Sequence, residues 1–284
     1  MADKKRLLPA FGLIVAAVGG YFGYDNYMYV HCDNAQVEAR TLMVSSKVTG
    51  YITQVKADIG ESVKAGELLA KIDDRDYVNS LDRAKADLES TDARLQDAVK
   101  THTRLSSLYG KGAATQAQFE SATASLNDLK GKALAMKSQV AQAQLNLENT
   151  EIKAPFDGFV AKKSVEIGQL VSAATPLFGF VDSSERWVVA NLKETEIGSI
   201  VAGTKVDLGV DALSGQKFTG VVKQVGPSTG ATFTLIPPDN ATGNFTKVVQ
   251  RVPVKISIDN LAPESVQALR AGLSVNVRLH RHSL

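Results

Sequence analysis

Few side chains in this sequence are equipped for chemistry. Four histidines stand at positions 31, 102, 280 and 282, and Cys32 is the single cysteine. None of the histidines has cysteines or carboxylates nearby at the spacing that closes a metal site. His280 and His282 alternate, so on a strand they share one face, and a surface pair of that kind binds metal adventitiously. His102 falls inside a helical apolar stripe, which makes it a partly buried structural histidine rather than a lone ligand. No glycine-rich stretch ends in Lys-Ser or Lys-Thr, so the phosphate-cradling loop of nucleotide-dependent enzymes is missing. Catalysis finds no support: the expectation is a non-enzyme with no cofactor and no metal. One cysteine also excludes a disulfide framework within the chain: Cys32 can pair only with another molecule or remain a thiol, and it reads as a bland juxtamembrane cysteine.

What remains is a stretch suited to contact. Residues 104 to 120 read RLSSLYGKGAATQAQFE, a glycine-softened break between two long helical patterns. Gly110 and Gly112 can end a helix by accepting left-handed backbone geometry. Thr115 can cap the next one, with Gln118 three residues on completing a capping box.

The elements that must carry this break follow from periodicity. Leu81, Ala84, Leu88, Thr91, Leu95, Ala98, His102 and Leu105 recur at alternating steps of three and four. Phe119, Ala122, Leu126, Leu129, Ala133, Met136, Val140, Ala143 and Leu147 do so again. Two such stripes predict two helices sharing a coiled-coil seam. The short connection makes them antiparallel, a rod on the order of 50 Å long at about 1.5 Å per residue. Its far tip, about 108–116, is the glycine break. The charges off the seam make a solvated surface.

Both ends of the rod return to one place because the sequence repeats. VTGYITQVKADIGESVKAGELLAKIDD (48–74) resembles APFDGFVAKKSVEIGQLVSAATPLFGFVD (154–182) at a constant offset of 108. Gly50 falls on Gly158, Gly60 on Gly168, Val63 on Val171, Leu69 on Leu177 and Asp74 on Asp182. Each half is a set of short β-branched runs between glycine turns, and neither can bury its apolar face alone. Together they make a small sandwich. After Asp182, the segments RWVVANL, KVDLGV, FTGVVKQV, RVPVKISI and SVNVRLH predict a small β-barrel, joined by DNAQVEA (33–39) from the start of the chain. Trp187 opens one of these strands as a packed anchor.

At the N-terminus, Lys4, Lys5 and Arg6 precede an uncharged run from Leu7 to Tyr24, nearly enough at about 1.5 Å per residue to span a hydrocarbon core. The basic cluster keeps the N-terminus cytoplasmic, and Tyr21, Tyr24, Tyr27 and Tyr29 suit the far interface. A cleaved signal peptide is the alternative, with a longer apolar run than usual and no clear cleavage site. The net charge of +2 carries no basic stripe interleaved with aromatics, so nucleic acid is not an expected partner.

The domain assignment is therefore 1–6 cytoplasmic, 7–27 a transmembrane anchor, 28–43 a first barrel strand and linker, and 44–73 the first half-sandwich. Then follow 74–150 as the helical hairpin, 151–182 as the second half-sandwich, and 183–284 as the barrel and C-terminal strands. The fold class is mixed α and β, elongated and multidomain.

The paired half-motifs resemble the biotinyl/lipoyl domain, where a tight hairpin displays a cofactor-carrying lysine. Here residues 74–150 replace that hairpin, which argues against a carrier. The order of anchor, half-sandwich, helical hairpin, half-sandwich and β domain resembles the HlyD/AcrA class of periplasmic adaptors, or membrane fusion proteins. That resemblance implies docking onto a TolC-like outer-membrane channel through an arginine, a leucine four residues later and a serine seven after that. Arg104, Leu108 and Thr115 have this spacing, with threonine in place of serine.

ANLKETEIG and GATFTLIPPDNATGNFTKVVQRVPVKI look like the EmrA branch, whose members serve proton-driven multidrug exporters of the major facilitator superfamily. The hairpin is shorter than that branch leads one to expect. The resemblance implies an inner-membrane exporter and an outer-membrane channel as partners, and self-assembly as a trimer or hexamer. It implies a single-pass inner-membrane protein with its bulk in the periplasm. Aromatic-acid efflux and type I secretion are the alternative settings. The segment from Gly226 to Lys247, with Phe233, Leu235, Asn240 and Phe245, reads either as a barrel loop held by its apolar residues or as a contact with the exporter or a neighbouring protomer. The sequons at Asn240 and Asn244 are chance matches.

Overall fold

The computed structural model describes residues 19–20, 24, 27–213, 215–233, 249–259, 261, 266 and 268–281. The anchor expected over 7–27 lies outside them except for Gly19, Gly20, Tyr24 and Tyr27. Among the described residues no helix is long and apolar enough to cross a membrane.

In chain order, β1 (Tyr29–Cys32) and β2 (Ala35–Glu38) come first, followed by β3 (Thr41–Ser45), β4 (Gly50–Val55), β5 (Ser62–Val63) and β6 (Leu68–Ile72). Two helices follow, α1 (Arg75–Gly110) and α2 (Gln116–Glu148). The chain re-enters β structure as β7 (Glu151–Lys153), β8 (Gly158–Lys163), β9 (Leu170–Val171) and β10 (Pro176–Asp182). It finishes with β11 (Trp187–Lys193), β12 (Lys205–Val210), β13 (Lys217–Val225), β14 (Arg251–Ile258) and β15 (Val275–His280). The chain divides into two compact units, one of residues 41–180 and one of the flanking segments up to Arg40 and from Val181 onward. Thr41–Met43, assigned from sequence to the barrel linker, belong instead to the sandwich strand β3.

The flanking unit is a seven-stranded sheet in the order β1-β15-β12-β13-β14-β11-β2. β2 reaches back to the segment leading into β15 through the Gln36–Ser274 bridge, with Val37 N donating to Leu273 O at 2.8 Å and Gly272 N to Val37 O at 2.7 Å, which closes the sheet. Alternation fills the interior: Val206, Leu208 and Val210 of β12, Val188, Ala190 and Leu192 of β11, and Val275, Val277 and Leu279 of β15 all point inward and are buried. Gly220 is required on β13, because a Cβ there would strike the Ser257 carbonyl oxygen on β14. Cys32, assigned from sequence to the juxtamembrane stretch, is buried in this core. Its Sγ lies 3.5 Å from Asn34 O, and burial pushes its pKa up, which keeps it an unreactive thiol.

The other unit holds the sandwich, two four-stranded sheets ordered β3-β10-β8-β5 and β7-β6-β4-β9. The 108-residue repeat carries one sheet onto the other: β4 maps to β8, β5 to β9 and the start of β6 to the start of β10. The hydrogen bonds obey the same offset. Gly60 N donates to Val160 O and Gly168 N to Ile52 O, each at 2.8 Å; Gly66 N donates to Ala154 O and Ala174 N to Ser46 O, again each at 2.8 Å. The turns share their backbone too, with φ of 87° at Gly60 and 83° at Gly168, and 82° at Gly66 and 68° at Ala174. Leu69 and Leu177 are both fully buried between the sheets, each worth roughly 1.5–3 kcal/mol. One half alone would leave this layer in water, so the halves fold only as a pair.

The hairpin leaves after β6 and returns at β7. Ile72 N donates to Thr150 O at 2.9 Å, tying exit to entry, and Tyr77 Oη donates to Thr49 O at 2.7 Å, fastening the foot of α1 to the sandwich. All seventeen residues of the two apolar stripes are buried or half-buried, whereas nearly all others on the helices are exposed. Two helices alone cannot enclose their seam, so Leu81 and Leu126 are its only fully buried members.

A hairpin tip as the candidate docking site

The tip is a closed turn with satisfied ends. Gly112 N donates to Tyr109 O at 3.0 Å, and Ala113 N reaches back to Leu108 O at 2.8 Å, the double bond of a Schellman stop with Gly112 in the left-handed position at φ 73°. Only one of the two glycines expected to go left-handed does so. Gly110 remains the last helical residue, because the turn needs a single reversal and Gly112 supplies it.

On the return side the capping box forms. Gln118 N donates to Thr115 Oγ1 at 3.3 Å, and Thr115 N donates to Gln118 Oε1 at 2.9 Å. Thr115 thus has a structural duty, though its hydroxyl proton is still available to a partner.

Arg104 and Leu108 stand one helical turn apart on α1, and both are exposed, Leu108 to 37%. An exposed leucine beside an exposed arginine at the end of a long helix pair offers an apolar spot with a charge-assisted hydrogen-bond donor next to it.

Sequence reasoning passed over Tyr109, although it continues the step of four from Leu105. Its ring stacks on Phe119 at 5.4 Å and an interplanar angle of 2°, and Phe119 in turn faces His102 at 5.4 Å. This stack extends the seam into the last turn and joins the ends of the two helices. His102 has the half-buried structural place expected of it.

The second candidate region is partly visible. Phe233 ends a short 3-10 turn, Gly230–Phe233, while Leu235, Asn240 and Phe245 lie outside the described residues. Trp187 packs as an anchor: its Nε1 donates to Glu38 Oε2 at 3.2 Å and Lys255 Nζ sits 4.1 Å from its ring centroid. His280 faces Asp207 at 3.5 Å and packs edge-on against Tyr29, and His282 lies outside the described residues.

A sandwich split by a helical hairpin, in a chain that also forms a barrel, is the architecture of the adaptor class, and comparison with known proteins agrees. Residues 40–182 match the CzcB-like barrel-sandwich hybrid domain. Over 98% of its length the chain is 31% identical to the multidrug export protein EmrA of Haemophilus influenzae, covering 84% of that protein. It is 30% identical to the multidrug export protein EmrA of Escherichia coli K12, over 93% of the chain and 80% of the relative.

Among solved structures, a MacA-MexA chimeric protein carrying the Pseudomonas aeruginosa MexA α-hairpin domain superposes with a TM-score of 0.67 at 24% identity, over 90% of this chain and 83% of that one. The membrane fusion protein Spr0693 of Streptococcus pneumoniae R6 does so with 0.67 at 16% identity, over 90% and 99%. The chain belongs to the HlyD/AcrA class of periplasmic adaptors, the membrane fusion proteins, in its EmrA-like branch.

Proposed function

We propose that this protein is the periplasmic adaptor subunit of a tripartite efflux pump. It links an inner-membrane multidrug exporter of the major facilitator type to a TolC-like outer-membrane channel. Its N-terminal segment anchors it once in the inner membrane with the N-terminus cytoplasmic, and it works as a trimer or hexamer. It performs no catalysis; the exporter's proton gradient supplies the energy. Multidrug export and colistin resistance are the functions named for its EmrA relatives, and fatty acid resistance that of the 32% identical FarA of Neisseria gonorrhoeae.

The observation that carries the reading is the tip. About 50 Å of helix, at about 1.5 Å per residue, ends in a capped turn presenting exposed Arg104 and Leu108. Holding an arginine and a leucine exposed at the end of a long hairpin has no folding purpose, so their placement is best explained by a second protein. The segment around Phe233, Leu235, Asn240 and Phe245 is assigned to the exporter or to a neighbouring protomer.

The test is the double variant Arg104→Asp, Leu108→Ser in the full-length protein. Expression and co-purification with the exporter remain normal, while crosslinking to the outer channel and drug resistance are lost. Thr115→Ser, which keeps the cap, stays active. Full resistance in the double variant would refute docking through this tip.

A further inference from the structure

The hairpin segregates its charge. From Arg75 to Asp97, α1 carries six acidic side chains (Asp76, Asp82, Asp87, Glu89, Asp92 and Asp97) against the four bases Arg75, Arg83, Lys85 and Arg94. From residue 98 to residue 119 there is no Asp or Glu at all, while Lys100, Arg104 and Lys111 remain. Lower on the rod bases have acidic neighbours, as in Lys132–Asp128 at 2.8 Å and Lys85–Asp82 at 4.0 Å. Among the described residues none of the three tip bases has an acid within 4.0 Å, and all three are exposed.

Helix chemistry explains only part of this. A base near a helix C-terminus complements the dipole, which accounts for one positive charge at the end of α1. It does not account for the missing acids at the start of α2, where the same dipole favours Asp or Glu; the first turn of α2 has none. The helix forgoes a stabilising acid in its first turn; the nearest, exposed Glu120, stands in the second turn and accepts from Gln116 Nε2 at 2.8 Å, so from residue 98 to 119 the tip around Leu108 and Tyr109, which are 37% and 42% exposed, carries charge of a single sign.

Resting on the docking reading above, we infer that the surface receiving the tip is acidic, an apolar notch rimmed by carboxylates, and that Lys111 at the apex is a docking contact alongside Arg104. Lys111 sits at the turn between the helices, its backbone N–H donated to Leu108 O at 3.2 Å and its side chain free in solvent. Opposite charge at a contact rim speeds and orients encounter, and reversing one such charge replaces attraction by repulsion.

The experiment uses full-length protein in intact cells, with a photo-crosslinking residue in place of Ala113, and the outer-membrane channel it captures as the probe. Lys111→Glu lowers crosslink yield about tenfold, Lys111→Arg leaves it unchanged, and the wild-type complex in detergent weakens as salt is raised from about 50 to about 500 mM. Equal yields for Lys111→Glu and wild type, or a salt-insensitive complex, overturn the acidic partner while docking itself stands. Capture of no outer-membrane protein by the wild-type chain overturns the docking reading and this inference with it. Transfer of the charge dependence to anionic phospholipid vesicles, with channel capture unchanged, assigns the tip to a membrane surface and also overturns the proposal.

Discussion

Ala174 is the one residue other than glycine with a positive φ among the described residues, and the internal repeat says what should stand there. Its equivalent 108 positions earlier is Gly66, with φ 82° against 68°, and both donate their N–H across the sandwich at 2.8 Å. An L-residue in this region bears a steric cost of roughly 1–2 kcal/mol. Ala174→Gly removes that strain, and the extra freedom of glycine in the unfolded chain gives back about 0.4–1 kcal/mol. The sandwich should therefore gain about 0.5–1 kcal/mol.

Gly66→Ala should lose a similar amount. Nothing lies within 4 Å of a Cβ built there, so strain acts without a clash. The swap of both residues should come out near neutral. The assay is hydrogen exchange at the buried amides of Leu69 and Leu177, in the full-length protein in detergent, which isolates this unit from the barrel. A change of 0.5–1 kcal/mol slows exchange about two- to fivefold, since about 1.4 kcal/mol is a factor of ten. Unchanged or faster exchange in Ala174→Gly would refute the equivalence of the two turns.

Two further outcomes are expected. Thr115→Ala should cost roughly 0.5–2 kcal/mol of local stability, read as faster exchange at the Gln118 and Phe119 amides, while Thr115→Ser stays within a few tenths of a kcal/mol. Asp73 is held down to a pKa of about 2 by the paired Arg75 guanidinium, whose Nη2 lies 2.6 Å away. Its folded value lies below its unfolded one, so the pair's contribution is complete above about pH 4 and is lost as pH falls toward 2. A carboxyl-carbon NMR titration should show this midpoint, and Arg75→Ala should raise it toward the ordinary carboxylate range.

Much of the architecture was legible because its signals are local. The alternating three and four spacing from Leu81 to Leu105 and from Phe119 to Leu147 specifies a seam whatever surrounds it. The Thr115–Gln118 box and the Gly112 stop depend on a few neighbouring residues. The strands from Trp187 to His280 announce themselves by β-branched runs between turns. The 108-residue repeat is visible in the sequence as well, and with it the need for two halves to share one core.

Tertiary structure decided what depends on residues far apart in the chain. The stacking of Tyr109 on Phe119 joins the ends of two helices and has no one-dimensional signature beyond a single step of four. Cys32 became a core residue because β1 pairs with β15 nearly the whole chain away, and Thr41–Met43 entered the sandwich by pairing with β10. Periodicity fixes which face of an element is apolar, since side-chain direction follows from backbone geometry alone. Which distant element covers that face is set by packing, and packing exists only once the chain has folded.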